Sequence, residues 1–314
     1  MVTSPVIGDI KSLSVDPFPF EEITIPYLRS RKYLSSLSPL IKYADSSSLT
    51  SYKTSYDSDG LNINSLLIMP KGIPPDAGWP AVVFVHGYIP PKQYQTTRNY
   101  AQYVDSLARN GIAVLKIDLR GHGSSEGDPG GGYYSSDYVI DTLNAFSALK
   151  HYPGIDSDKV GLWGHSMAGN IVLRSFVINP EIKKIVIWAG AVYTYEDMRQ
   201  FRINDASYRP LPSGAPSQKK RQALTDTYGQ FDPNSSFWKQ VPATNYLDDV
   251  TGSVQIHHAL NDSVVSIGYS RNLVSILNQT DIISELFEYR SGGHNLTGSS
   301  FTLAIKRTAD FIKE

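Results

Sequence analysis

The chain has 314 residues, 41% of them hydrophobic, and a formal net charge of −1. That length can bury one large core or a core and a half, and the near-neutral balance excludes nucleic acid and anionic membranes as main partners. Cysteine is absent, which excludes a disulfide framework, thiolate metal sites and a cysteine nucleophile. No apolar run reaches the length of a membrane span, and the N-terminal residues lack the apolar centre of a signal peptide. Charged residues are only 19%, with Ser, Tyr and Asn plentiful. This composition leads us to expect an extracytoplasmic or secreted protein whose leader lies outside this chain.

Residues 1–48 carry scattered prolines (Pro17, Pro19, Pro26) and a basic group of Arg29, Arg31 and Lys32, and read as an arm lying over the core. From Ser51 the pattern alternates, with Tyr52, Thr54 and Tyr56 on one face. Ser58-Asp59-Gly60 then supplies a turn before Leu61, Ile63, Leu67 and Met69, which predicts an antiparallel hairpin at a sheet edge. Near-continuous apolar runs follow at 81–85, 112–117, 160–163 and 185–188, and two more strands at 254–260 and 283–289. Such runs suit parallel strands covered on both faces. Helical patterns separate them: Tyr100, Val104, Leu107 and Ala108, ended by Gly111; then Val139, Leu143, Phe146 and Leu149, capped by Ser135 or Ser136; then 267–278 and 300–312. The alternation predicts an α/β, doubly wound, mostly parallel sheet of about eight strands with right-handed crossovers.

Between Gly190 and Val250 this rhythm breaks into a long aromatic-rich segment holding Tyr193, Tyr195, Phe201, Tyr208 and Trp238. A connection of that length is functional or structured in its own right. We read residues 191–250 as a cap inserted into a core of 49–190 and 251–314.

Chemistry concentrates at 160–170, Val-Gly-Leu-Trp-Gly-His-Ser-Met-Ala-Gly-Asn, where a short apolar strand meets a Gly-flanked serine and a helix with Ile171, Val172, Phe176 and Val177 on its apolar positions. A serine hydroxyl attacks only when a base removes its proton, so it must project where a base and an oxyanion site both reach it. Gly164 and Gly169 clear the space around such a turn, with Ala168 in the place where Gly is usual. Open α/β sheets bind ligands past the carboxyl ends of their strands. Asp262 follows the strand after the cap, and His294 sits in Ser-Gly-Gly-His-Asn after the last strand. Ser166, Asp262 and His294 thus come in the order Ser, Asp, His as candidate nucleophile, orienting acid and base.

With His86-Gly87-Tyr88 after one strand and Asp118-Leu119-Arg120-Gly121-His122-Gly123-Ser124-Ser125 after the next, residues 49–314 resemble an α/β-hydrolase. Within that superfamily the chain is similar to the S9-type catalytic domain of the prolyl oligopeptidase family and to its single-domain esterase relatives. Ala168, Ala259 and Ser266 depart from the usual pattern without removing a reacting group. The oxyanion hole is expected from the backbone N–H groups of Met167 and Tyr88, with the Tyr88 hydroxyl, used by some peptidase relatives, as a rival donor.

His86 is expected to order its loop, and His86, His165, Tyr193 and Trp238 are expected to contribute to the substrate pocket, although His165 could equally be a packing residue. His257 and His258 are adjacent on a strand, so they face opposite ways and cannot share a metal. Asp118 and Arg120 read as an internal ion pair, Asp248 and Asp249 as rival acids at the wrong strand end, Gly130-Gly131-Gly132 as a flexible rim, and Lys219, Lys220 and Arg221 as a solvated cap face with a lesser carboxylate-binding alternative. No metal or organic cofactor is implied. The leading expectation is a carboxylesterase or feruloyl-esterase-like serine hydrolase acting on a small ester, because flat side chains in the cap suit alkyl or aromatic groups. The alternatives are an S9-like peptidase acting on short peptides, for which carboxylates to hold a substrate amine are not assigned, and a non-catalytic ligand-binding protein on the same fold.

Overall fold

The apolar runs become the centre of one nine-stranded sheet, in the computed structural model that describes residues 19–314. Its strands are β1 (Ile41–Asp45), β2 (Leu49–Ser58), β3 (Leu61–Pro70), β4 (Trp79–Val85), β5 (Ala113–Ile117), β6 (Ile155–His165), β7 (Lys184–Trp188), β8 (Ser253–Ala259) and β9 (Ile283–Tyr289). They lie in the order β1-β2-β3-β5-β4-β6-β7-β8-β9. The pairs from β5 to β9 are parallel, and β1, β2 and β3 join antiparallel at one edge. The expected hairpin is β2–β3, with Ser58 paired to Leu61 across a tight turn in which Asp59 and Gly60 both take positive φ (56° and 80°).

The ninth strand corrects two expectations. Residues 41–45 do not lie over the core; although every residue of β1 is exposed, they pair with β2 and extend the sheet. The arm contributes to packing further upstream, where Ile23, Ile25 and Leu28 are buried around helix α1 (Ile25–Ser30). Pro17 and the residues before it lie outside the described residues.

Along β4 the side chains alternate between two cores. Ala81, Val83 and Val85 pack with α3 (Asp137–Lys150), α4 (Ala168–Ile178) and α7 (Gly268–Leu277), whereas Val82 and Phe84 pack with α2 (Ala101–Arg109) and α8 (Ser299–Lys313). A strand covered on both faces has no polar face to spare, which explains its unbroken Ala-Val-Val-Phe-Val run. Segment 191–250 carries α5 (Tyr195–Gln200) and α6 (Pro216–Tyr228). It builds a small core of its own from Tyr195, Leu224, Phe237, Trp238 and Val241, with Ile23 from upstream. No helix of the described residues is long and apolar enough to cross a membrane.

Candidate active site

β6 ends at His165, and the next residue turns sharply into α4. Ser166 takes φ 56°, a left-handed conformation that costs a non-glycine residue on the order of 1–2 kcal/mol, and its N–H donates to the Trp188 carbonyl at 2.9 Å. Two glycines make room for this turn: a Cβ on Gly164 would meet the Ala168 carbonyl oxygen at 2.6 Å, and one on Gly169 would meet Gly190 Cα at 2.8 Å. Ala168, in the departed position, is fully buried as the first residue of α4. A methyl group is tolerated there because the position is helical.

Ser166 and Met167 line a cavity of about 410 Å³. Its walls come from Tyr88 after β4, from His122, from Gly132, Tyr133 and Tyr134, and from Met198, Ile203, Tyr208 and Arg221 of the inserted segment. The triple glycine therefore does border the cavity, and Gly132 is held to hydrogen at its α-carbon because a Cβ would meet Met167 Cγ at 2.6 Å. Among the described residues no group accepts a hydrogen bond from the backbone N–H of Tyr88 or of Met167. The Tyr88 hydroxyl, in contrast, is engaged: it donates to the Arg209 carbonyl at 3.1 Å and accepts from the Arg209 N–H at 2.9 Å. The rival oxyanion donor is thereby committed to the inserted segment.

Asp262 and His294 meet at the carboxyl ends of β8 and β9. His294 Nδ1 lies 2.8 Å from Asp262 Oδ2, while Asp262 Oδ1 accepts from the N–H groups of Val264 (2.8 Å) and Val265 (3.0 Å). Burial pushes the Asp262 pKa up, but hydrogen bonds from His258, His294 and the Val265 amide outweigh it and hold the carboxylate well below its usual range. Ser166 Oγ makes no hydrogen bond to His294 among the described residues; the His294 ring instead lies beside that of His165, the residue before the serine, with centroids 4.6 Å apart and planes tilted by 47°. Nucleophile–base contacts are often long until substrate tightens them.

Sequence reasoning missed His258. Fully buried, it places Nε2 3.2 Å from Asp262 Oδ2 and 3.0 Å from the Val265 carbonyl, with Nδ1 2.7 Å from Ser270 Oγ. Since a carbonyl only accepts, Nε2 carries the hydrogen and the serine donates to Nδ1. The strand alternation does turn His257 the other way, onto Tyr289 and Gln255. Had the turn after β8 been foreseen to fold Asp262 back beneath the strand, the four-residue spacing from His258 would have been the signal.

Other expectations need correction. His86, His165, Tyr193 and Trp238 are each at most 2% exposed and none lines the cavity at Ser166. His86 bonds the Gly87 carbonyl and the Leu119 N–H within the loop layer, Tyr193 packs in the main core, and Trp238 is spent on the inserted segment's own core. A segment of that size must bury its largest aromatics to hold a shape, which leaves the tyrosines to face the cavity. Asp118 does not pair with Arg120. Arg120 bonds Asp141 (2.6 Å) and Asp137 (3.3 Å), and Asp118 takes hydroxyls from Tyr94 and Thr96. Burial raises Asp118 to about 6. Asp249 pairs with Arg29 at 2.6 Å and precedes β8, at the strand end opposite the site's acid. Lys220 pairs with Glu22, while Arg221 lies over the Tyr134 ring, 4.3 Å from its centroid, at the cavity wall. Among the described residues no group of three or more His, Asp or Glu could hold a metal ion.

Residues 79–222, just under half of the chain, match the family described as serine aminopeptidase, S33. The stretch runs from β4 through the serine turn into α6. Together with the sheet order and the elbow at Ser166, this decides the class. The chain has the α/β-hydrolase fold. It is 30% identical over 128 residues to the thiohydrolase aneE of Aspergillus aculeatus, a match that takes in 41% of this chain and 37% of that protein. It is also 25% identical over 240 residues to dipeptidyl aminopeptidase A of Saccharomyces cerevisiae, over 70% of this chain and 26% of that protein. The chain thus spans well under half the length of these curated relatives. Among solved structures, acetyl xylan esterase 1 from Thermoanaerobacterium sp. superposes with a TM-score of 0.61 at 19% identity, over 91% of this chain and 90% of that one. Est1E from Butyrivibrio proteoclasticus, with ferulic acid bound, gives 0.59 at 20% identity, over 82% and 96%. At such identities these likenesses establish the shared fold.

Proposed function

We propose that this α/β-hydrolase is a serine hydrolase of carboxylic esters, working through an acyl-enzyme on Ser166. One observation carries the reading: Tyr88 and Met167, whose backbone N–H groups have no hydrogen-bond partner among the described residues, line the same cavity as a serine held at positive φ. Nothing about packing calls for that arrangement, whereas an oxyanion does. Ser166 Oγ attacks the carbonyl carbon as His294 Nε2 takes its proton, and Asp262 holds Nδ1–H and steadies the imidazolium. The tetrahedral oxyanion accepts from the two amides. His294 then returns the proton to the departing alcohol, and a water activated by the same nitrogen releases the acid.

Tyrosines and methionines around the cavity favour an apolar or aromatic acyl or alcohol group, in keeping with the likeness to an acetyl xylan esterase and to Est1E with ferulic acid bound. The same acyl chemistry accepts a thioester, which the likeness to a fungal thiohydrolase favours. A peptidase would hold its substrate's amine with carboxylates. The cavity is lined by one acid, Asp205, whose Oδ1 already accepts the N–H and hydroxyl of Ser207. A panel of p-nitrophenyl esters, acyl thioesters and aminoacyl or peptidyl anilides tests this: turnover of esters with silent anilides is expected, and the reverse would overturn the reading in favour of peptide hydrolysis.

Assigning the oxyanion to amides yields a separate expectation. Tyr88→Phe leaves the N–H and removes only the hydroxyl's two bonds to Arg209. The change should alter KM for bulky esters through the loosened segment and leave kcat within about threefold. A loss on the order of 10²–10³-fold in kcat, the cost of deleting one oxyanion donor, would transfer the role to the hydroxyl.

A further inference from the structure

Two side chains that the reaction above does not use, His165 and Tyr100, meet beside the nucleophile. His165, next to the nucleophile, is 2% exposed, yet both ring nitrogens are occupied: Nδ1 lies 2.7 Å from the Tyr100 hydroxyl and Nε2 lies 2.9 Å from the main-chain carbonyl of His294. The Tyr100 hydroxyl is also 3.0 Å from the N–H of Gly87, the residue before Tyr88. Proton positions in this chain follow from its two ends. The His294 carbonyl can only accept, so His165 carries its hydrogen on Nε2 and presents a bare Nδ1. The Tyr100 O–H must then donate to Nδ1, and its oxygen accepts from Gly87, which can only donate.

We propose that Tyr100 and His165 form a positioning relay, which fixes the loop bearing the Tyr88 amide and the loop bearing His294 relative to each other around Ser166. The proposal rests on the hydrolase reading given above. Neither residue touches substrate, so both act through the groups they hold.

Two independent features fit a device of this kind. Tyr100 immediately precedes α2 at φ 61°, a left-handed conformation that asparagine or glycine would occupy at less cost. A tyrosine kept there at a cost is explained by where its hydroxyl must reach. Gly87 is not at positive φ, yet a Cβ on it would meet the Tyr100 hydroxyl at 2.8 Å and His165 Nδ1 at 3.1 Å, so its missing side chain is what lets the relay close. Burial, aided by the neighbouring His294, lowers the His165 pKa to about 3, so the ring stays neutral and the direction of donation does not change over the pH range in which esterases are assayed. Burial likewise raises the Tyr100 pKa, which keeps its proton in place.

Geometry is the quantity such a relay controls. The two loops arise from different strands, β4 and β9, whose ends are separated in the sheet by β6, β7 and β8. Among the described residues the chain Gly87–Tyr100–His165–His294 crosses that interval in three hydrogen bonds. Loosening it leaves the nucleophile, acid and base present but mis-spaced.

The test uses the full chain with p-nitrophenyl butyrate, and with a fluorophosphonate probe that reports Ser166 reactivity independently of substrate preference. Tyr100→Phe, which keeps the ring against Phe84 and Trp163, and His165→Asn should each lower kcat about 10- to 100-fold, with KM within twofold and Tm within a few degrees. The double variant should be no slower than the slower single, because either change breaks the same chain. A wild-type kcat in either single variant overturns the relay, and so does a double variant whose loss is the product of the two. Either single decides the matter should the other fail to fold. Failure of this inference is distinguishable from failure of the hydrolase reading: in the second case the unaltered protein itself neither turns over esters nor reacts with the probe at Ser166.

Discussion

Ser166→Ala is expected to lower kcat for any ester the protein hydrolyses by on the order of 10⁴-fold or more, with circular dichroism and Tm unchanged. Alanine removes the attacking oxygen and nothing else, because Ser166 Oγ donates no hydrogen bond that the fold depends on among the described residues. The backbone offers a companion measurement. Ser166 and an alanine in its place bear the same strain at φ 56°, whereas glycine does not. Ser166→Gly should therefore be as inactive as Ser166→Ala and melt above it. The relief of roughly 1–2 kcal/mol exceeds the cost of about 0.5–1 kcal/mol that glycine adds through the unfolded chain. A glycine variant that melts below the alanine variant would show that the turn is held without strain, and the positive φ would then lose its meaning as a mark of function.

How far the sequence went depends on the range of the interaction that decides each feature. Val82 and Phe84 against Val83 and Val85 declare a strand with two buried faces from local pattern alone, and β4 to β8 were legible for that reason. The serine turn was legible because glycine at 164 is demanded by a backbone atom four residues away, although the demand on Gly169 comes from Gly190, beyond the next strand. β1 was not, since Ile41 to Asp45 are all exposed and carry no burial pattern; only their pairing with β2 makes them a strand. The same distinction separates the site residues. Ser166, Asp262 and His294 all follow the carboxyl ends of strands, positions that the strand order makes readable, and the last two meet. Which aromatics face the cavity is decided by how residues 191–250 fold on themselves, and there Trp238 and Tyr193 went inward while Tyr208 and Met198 turned to the cavity. The contact of His258 with Asp262 escaped notice because that partner is reached through a turn, Asp262 N–H to the Ala259 carbonyl at 3.2 Å, that has no glycine or proline to announce it.

Asp262→Asn is expected to cost about 10⁴-fold in kcat, and the local hydrogen bonds say why. The amides of Val264 and Val265 both donate to Oδ1, so the variant's carbonyl oxygen must stay on that side and its NH₂ must take the place of Oδ2. There it faces His294 Nδ1 and the Nε2–H of His258. Donating to Nδ1 leaves the hydrogen of His294 on Nε2, the nitrogen that has to receive the serine proton, so the base is held in the wrong tautomer. Opposing His258 sets two donors against each other, so the variant should also lose stability, and pH separates this from a general defect. Asp262 has a folded pKa below its unfolded value of 3.8, so its contribution to wild-type stability is complete above that value and fades as pH falls beneath it. The gap in Tm between wild type and Asp262→Asn should be full at pH 6 and narrow as pH drops below about 4. A gap that stays constant down to pH 3 would mean that the carboxylate charge is not what His258, His294 and the two amides hold. A variant active within tenfold of wild type would mean that His294 takes its tautomer from another partner.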